Sequence, residues 1–123
     1  DVGSRNGTIW VQPGSHSRHL LQLHDLKEKY GDGEFKTFDD RYNAEIDALV
    51  DLNRQEAGLI EEPVHASAGD VVLFHGRLIH RGGPVEDPEA LRNVMANHYV
   101  PRDSDSWPFG SGWPRIDFDG NRR

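Results

Sequence analysis

Short β-forming runs, bounded by glycine and proline, constrain this chain most strongly. The stretch NGTIWVQPGS places a strand over about Thr8–Gln12, between the turn dipeptides Asn6-Gly7 and Pro13-Gly14. Further runs rich in β-formers are PVHA, DVVLFHG, RLIH and RNVMANHYV. No long helical crossover separates the later runs, so we expect an antiparallel sandwich or barrel.

A helical pattern occupies the middle of the chain. In SHSRHLLQLHDLKEKYG the leucines recur at near-helical spacing up to Gly31, which predicts a short helix, and GDGEFKTF predicts a loop. A second helix is predicted over DDRYNAEIDALVDLNRQEAG, with Asp39 or Asp40 as its N-cap and Gly58 beyond its end. The apolar stripe of this helix consists of Tyr42, Ile46, Leu49 and Val50.

These elements predict one domain over residues 1–123 that is mainly β, with a helical insertion at about 15–58. From about 101 to 123 the chain is rich in proline and glycine, so an irregular tail is expected there. Four or five strands are few for a closed jelly roll of about eight strands. The visible elements therefore correspond to about half of one.

Composition excludes several classes of site and partner. The chain has no cysteine, so disulfides and thiolate metal sites are excluded. The formal net charge of −7 argues against a nucleic-acid partner and against an anionic membrane surface. No stretch resembles a signal peptide or reaches the length of a membrane span, so a cytoplasmic location is expected.

The stretch AGDVVLFHGRLIHRGG ends a β-forming run on His80, followed directly by Arg81 and two glycines. A histidine at the end of a strand, before a glycine-rich exit, is a candidate metal ligand at the mouth of a barrel. It is equally an ordinary polar residue where a strand meets solvent. Spacing alone leaves both readings open.

Three separated motifs occur in one order: NGTIWVQPGSH, AGDVVLFHGRLIHRGG and RNVMANHYVP. Together they resemble the phytanoyl-CoA dioxygenase family of Fe(II)/2-oxoglutarate oxygenases, over Asp1 to about Pro101. The resemblance implies a partial double-stranded β-helix (a cupin-like jelly roll), here the C-terminal half of the catalytic domain. It also implies that a small organic substrate is oxidised with O₂, Fe(II) and the cosubstrate 2-oxoglutarate.

By motif position, His80 matches the family's distal iron-binding histidine, and Arg92 matches the arginine that pairs with the distal carboxylate of 2-oxoglutarate. Such oxygenases hold Fe(II) with two histidines and one carboxylate, which leaves positions for the cosubstrate and O₂. An arginine fork matches a carboxylate bidentately, as a lysine does not. If residues 92–99 form a strand, Arg92 shares with His98 one face, which would point inward.

The sequence departs from the family pattern in two ways. No H-x-D or H-x-E motif occurs in it, whereas the family carries its first two iron ligands in such a motif upstream of the P-G-S-H run. Those ligands are expected before Asp1, so the chain should carry one of three iron ligands and be inactive alone. The second departure is Gly82, where family members often have a serine that helps to hold 2-oxoglutarate.

Further candidates for the rim of the site, or for support behind it, are Trp10, Ser15, His16, His75, Gly82 and His98. His16 is expected to brace the turn at the rim, and His75 to orient or pack instead of binding metal. His98 is a weaker candidate near Arg92, and Trp10 is either a core residue or part of a cavity wall.

The sequence leaves open an alternative metal site and an alternative function. The spacing H-x2-H-x4-H of His16, His19 and His24 is a weaker candidate zinc site. In place of an oxygenase, the chain could be a non-catalytic jelly-roll binding or structural module that has lost its iron site. In either case, unpaired strand edges would favour self-association.

Overall fold

A three-stranded antiparallel sheet organises the first part of the chain. The computed structural model describes residues 1–19, 28–29 and 35–99. These fall into one unit over Asp1–Arg92 and a second from Asn93 onward. The sheet belongs to the first unit and has the order β2-β1-β3. Its strands are β1 (Ile9–Val11), β2 (Glu62–Pro63) and β3 (His80–Gly82).

The central strand β1 pairs antiparallel with both neighbours, so that His80 lies opposite Val11 and Gly82 opposite Ile9. Beyond β2, the Val64 N–H donates to the Ile9 carbonyl at 2.9 Å, and an isolated bridge joins Val2 to Ala66. The predicted strand at 8–12 is thus confirmed in shorter form, whereas the predicted strand at 63–66 is shifted to Glu62–Pro63, with an isolated bridge at Ala66. The observed architecture is a small antiparallel sheet with one long helix.

The long helix, α1, spans Phe35–Ala57. It ends as predicted at Gly58, whose φ of +64° is a left-handed conformation that favours glycine. Its predicted start at Asp39 or Asp40 is wrong, because the helix begins at Phe35. Of the predicted loop GDGEFKTF, residues 35–38 are helical and residues 31–34 lie outside the described part of the chain. The sequence spacing explains this, since Phe35 and Phe38 continue the apolar period that leads to Tyr42.

The most deeply buried side chains of the described residues are polar. Thr8, Gln12, Ser15 and Asn53 are each at most 1% exposed, and the buried apolar residue beside them is Val50. In the part of the chain that the structure describes, no buried side-chain nitrogen or oxygen lacks a hydrogen-bond partner. The polar core is therefore fully paired, which removes the main cost of burying it.

Two predicted strands are not formed. Among the described residues of the predicted strands 70–76 and 92–100, none has strand structure, and apolar side chains such as Leu73 and Met95 are more than 80% exposed. A strand needs a neighbour to satisfy its backbone, so β-forming residues alone do not produce one. The predicted strand at 77–80 is shifted, because residues 76–78 form a turn and pairing with β1 begins at His80.

Other expectations fall partly or wholly outside the described residues. Of the stretch in which the first helix is predicted, residues 15–19 and 28–29 are described. Ser15–Ser17 form a 3₁₀ turn, and Glu28 and Lys29 are helical. The predicted tail at 101–123 lies outside the described part. Within the described residues, no helix combines the length and apolar character needed to cross a membrane.

Candidate functional site

His80 is exposed at the start of β3, where its ring contacts a backbone carbonyl and lies 5.0 Å, between centroids, from the ring of Phe74. Its Nδ1 lies 2.9 Å from the Leu78 oxygen. A carbonyl only accepts hydrogen bonds, so Nδ1 must donate, and in the neutral ring Nε2 then carries the lone pair. Histidines that bind metal through Nε2 commonly have this arrangement.

The P-G-S-H turn holds the backbone just before His80. Gly14, with a φ of +88°, leads into a 3₁₀ turn over Ser15–Ser17. The buried Ser15 Oγ accepts the Ile79 N–H at 2.9 Å, and the Gln12 N–H donates to the Ile79 carbonyl at 3.0 Å. Two of the three sequence motifs therefore meet at Ile79.

His16 and His75 lie together, with ring centroids 5.8 Å apart, and both are exposed. The Arg77 N–H donates to Nδ1 of His75 at 3.1 Å, which puts the proton of the neutral ring on Nε2. His75 thus has the opposite tautomer to His80 and offers no Nε2 lone pair to a metal. Its orienting or packing role, and the bracing role of His16, stay predictions.

Trp10 explains the glycine-rich exit after His80. It is half-buried on β1 opposite Arg81, whose guanidinium carbon lies 5.3 Å from the centroid of the indole ring. A Cβ added to Gly83 would lie 2.6 Å from Nε1 of Trp10, so this position has room for glycine alone. Gly82 has nothing within 4 Å of an added Cβ, and the family's serine would therefore fit there.

Arg92 is exposed and lies outside any strand, so the expected inward-pointing face is not observed. The strand fails to form because no described segment pairs with it. Asn6 of the N-G dipeptide donates through Nδ2 to the Leu91 carbonyl at 3.4 Å, close to Arg92 in the chain. Among the described residues, no hydrogen bond or ion pair joins Arg92 to His80. His98, also exposed, belongs to the second unit.

The segment before Arg92 is tied to the start of the chain by an ion pair between Arg5 and Asp87, 2.6 Å apart. This hydrogen bond from Arg5 lowers the pKa of Asp87 below its ordinary value, as do backbone hydrogen bonds from Glu89 and Ala90, while desolvation opposes the shift. The ion pair holds Asp87 in place. Among the described residues, no hydrogen bond or ion pair joins either of its side chains to His80.

A cavity of about 370 Å³ lies between α1 and residues 76–81. Ile46, Leu49 and Val50 line it from the helix, and His80 is among the residues of the opposite wall.

No group of three or more histidine, aspartate or glutamate side chains is arranged to hold a metal among the residues that the structure describes. His16 and His19 are exposed there, whereas His24 lies outside the described residues. The zinc alternative therefore stays a prediction.

The sequence patterns did not predict the roles of Gln12 and Asn53. Asn53 donates through Nδ2 to Oε1 of Gln12 at 2.8 Å, and Nε2 of Gln12 donates to the Val50 carbonyl at 3.0 Å. This amide pair joins α1 to the residue that directly follows β1. Helical spacing from Val50 to Asn53 could have revealed the inward position of Asn53.

Comparison with known proteins gives one finding. A family model described as phytanoyl-CoA dioxygenase (PhyH) matches residues 1–93, a span that contains β1, β2, β3, α1, His80 and Arg92. No curated protein and no solved structure matches the chain.

Proposed function

The chain belongs to the phytanoyl-CoA dioxygenase family, and on this premise we propose that it contributes His80 and Arg92 to an Fe(II)- and 2-oxoglutarate-dependent oxygenase. The proposed reaction is hydroxylation of a small organic substrate with O₂. The observation that carries the proposal is the hydrogen bond from Nδ1 of His80 to the Leu78 carbonyl, which leaves the Nε2 lone pair for a metal. The three-stranded sheet is compatible with part of a double-stranded β-helix, which we propose as the fold.

The described residues fit iron at one position. His80 offers a carbonyl-oriented imidazole, and the described ranges contain no group of three or more histidine, aspartate or glutamate side chains arranged to hold a metal. A complete face of two histidines and a carboxylate is therefore not assembled from these residues, and no reaction step is derived through the metal. When bound, Fe(II) would supply the O₂ chemistry, and His80 would be one of its ligands.

For 2-oxoglutarate, the proposed contact is the guanidinium of Arg92. Its planar fork of N–H donors suits the distal carboxylate of the cosubstrate. Gly82 provides no hydroxyl at the position where the family often has a serine. We therefore propose that this carboxylate depends more on Arg92 than it would beside a serine.

The proposal is tested in the oxygenase that contains this chain, by measuring succinate formation from 2-oxoglutarate and the visible charge-transfer band of the anaerobic Fe(II)–2-oxoglutarate complex. His80→Ala should abolish both, because an iron ligand is lost. His65→Ala, which removes another exposed histidine, should retain both. Wild-type succinate formation by His80→Ala would overturn the proposal, and absence of both readouts in the unaltered protein would favour the non-catalytic module.

A further inference from the structure

We infer that Ser15 is a positioning residue that sets the tautomer of His80 by fixing the peptide plane between Leu78 and Ile79. The inference rests on the proposed role of His80 as an iron ligand. It gives a positioning role to Ser15 of the P-G-S-H motif, a residue that has no role in the proposed function.

The geometry of one peptide bond connects the two side chains. A trans peptide is planar, and its C=O and N–H point in opposite directions. The Ile79 N–H of this peptide donates to Ser15 Oγ at 2.9 Å, and its Leu78 carbonyl accepts from His80 Nδ1 at 2.9 Å. Fixing the N–H therefore aims the carbonyl at the His80 ring.

Ser15 is itself held rigidly enough to act in this way. The residue is 1% exposed, and its backbone N–H donates to the Gln12 carbonyl at 3.1 Å. Its own carbonyl accepts the Arg18 N–H at 3.0 Å. Because water has little access to the hydroxyl, the Ile79 N–H has no ready substitute for it as an acceptor.

The following peptide is held from the same side. The Ile79 carbonyl accepts the Gln12 N–H at 3.0 Å, and the Gln12 side chain is buried against Asn53 of α1. Both peptides that flank Ile79 are thus bound to the segment that contains Gln12 and Ser15. This bracing leaves the Leu78 carbonyl little freedom to turn away from His80.

The fixed carbonyl decides which ring nitrogen of His80 is available to bind a metal. A histidine in water exchanges its proton between both ring nitrogens, and the hydrogen bond made by one nitrogen decides which carries it. With Nδ1–H bound to the fixed carbonyl, the lone pair stays on Nε2, where a metal can use it. Removing partners of this kind behind metal ligands typically costs about 10- to 100-fold in metal affinity.

The test is ¹⁵N NMR of the histidine rings in the 123-residue chain without metal, at a pH where imidazoles are neutral. His80 should show Nδ1–H, and His75 should show Nε2–H as a reference in the same spectrum. Ser15→Ala should move His80 toward a mixture of tautomers. It should also lower hydrogen-exchange protection of the Ile79 amide about two- to tenfold relative to the Val64 amide, as for one lost hydrogen bond.

Two variants separate positioning from general loss of structure. Ser17→Ala removes a nearby exposed hydroxyl, which donates to the Gly14 carbonyl at 2.8 Å, and should leave the His80 tautomer unchanged. Ser15→Thr keeps an acceptor oxygen and should restore Nδ1–H on His80. If Ser15→Ala does not fold, Ser15→Cys, with its weaker sulfur acceptor, should give the same shift in smaller degree.

The inference is overturned if unaltered His80 carries its proton on Nε2, or if neither Ser15→Ala nor Ser15→Cys changes the tautomer and the Ile79 exchange. These measurements need no iron and no turnover. A failure here would leave the succinate test of His80 unaffected, and a failure of that test would leave the tautomer result standing.

Discussion

Gly83 shows how closely β3 is fitted against β1 at the scale of single atoms. An alanine Cβ there would lie 2.6 Å from Trp10 Nε1 and 2.8 Å from the Thr8 carbonyl oxygen. Because one of these neighbours is backbone, Gly83→Ala should lower the free energy of unfolding by about 1–3 kcal/mol. Urea denaturation would measure the change.

Gly82→Ala is the matched control, since nothing lies within 4 Å of the Cβ that it adds. It should change the free energy of unfolding by less than about 0.5 kcal/mol. Equal losses in the two variants would contradict the close packing of Gly83 on Trp10.

Arg92 is the proposed contact for the distal carboxylate of 2-oxoglutarate. Under the proposed function, Arg92→Ala should raise KM for 2-oxoglutarate about ten- to a hundredfold, as for loss of hydrogen bonds to a charged group. Arg92→Lys should recover part of the loss, because it keeps the charge and loses the fork. Steady-state kinetics with 2-oxoglutarate varied would measure this.

His80→Ala should have a different effect from Arg92→Ala. It should abolish turnover, because a proposed iron ligand is lost, whereas Arg92→Ala should raise KM for 2-oxoglutarate. Arg102→Ala changes an arginine that carries no proposed role, and should leave KM unchanged. An unchanged KM in Arg92→Ala would remove Arg92 from the proposed 2-oxoglutarate site.

At the scale of elements, one buried amide pair joins α1 to the sheet. Asn53→Ala would leave the buried Oε1 of Gln12 without the 2.8 Å hydrogen bond that it accepts. An unsatisfied buried polar group costs about 1–3 kcal/mol, and the free energy of unfolding should fall by that amount. Thermal and urea denaturation would measure the loss.

Asn43→Ala makes the same chemical change at an exposed position of the same helix. It should be close to neutral, or slightly stabilising, because alanine favours the helix. If both asparagine variants lost the same stability, the amide pair would have no special role in attaching α1.

The sequence predicted the presence of α1, its end at Gly58 and the approximate position of β1, because each element has a strong local pattern followed by a turn residue. It failed where the outcome depends on distant partners. The β-formers Val71 and Leu73 predict a strand, yet no described segment pairs with them, and they stay exposed. β-Propensity describes which residues fit into a strand, and it does not say whether a neighbouring strand is present to pair with them.

The sequence motifs singled out candidate site residues, but they did not predict the hydrogen bonds that these residues make. Motif position singled out His80, whereas two hydrogen bonds orient it, one from His80 Nδ1 to the Leu78 carbonyl and one from the Ile79 N–H to Ser15 Oγ. These bonds depend on the turn after β1 meeting the residues just before β3. Hydrophobicity would bury Ile9 and Val11 of β1. The structure instead buries Thr8 and Gln12, because hydrogen bonds to Val64 and α1 satisfy these polar side chains.

At the scale of the whole molecule, the sheet is short and apolar side chains remain exposed beside it. Val71 and Leu73 are 79% and 81% exposed. Exposed apolar side chains next to unpaired backbone favour contact between copies of a chain. We therefore expect the 123-residue chain to self-associate, with an apparent mass in light scattering that rises with concentration.

Replacing both Val71 and Leu73 by lysine should reduce that association, because the two charges would have to be desolvated on contact. Replacing Ala48 and Gln55 by lysine adds the same charge at exposed positions of α1 and is the matched control. Net charge becomes less negative by two in both variants, so a general charge effect would change them equally. If the region around Val71 and Leu73 forms the contact, association falls in the first variant alone. A monomer at every concentration, with a sharp two-state melt, would instead show that these side chains are covered within the chain itself.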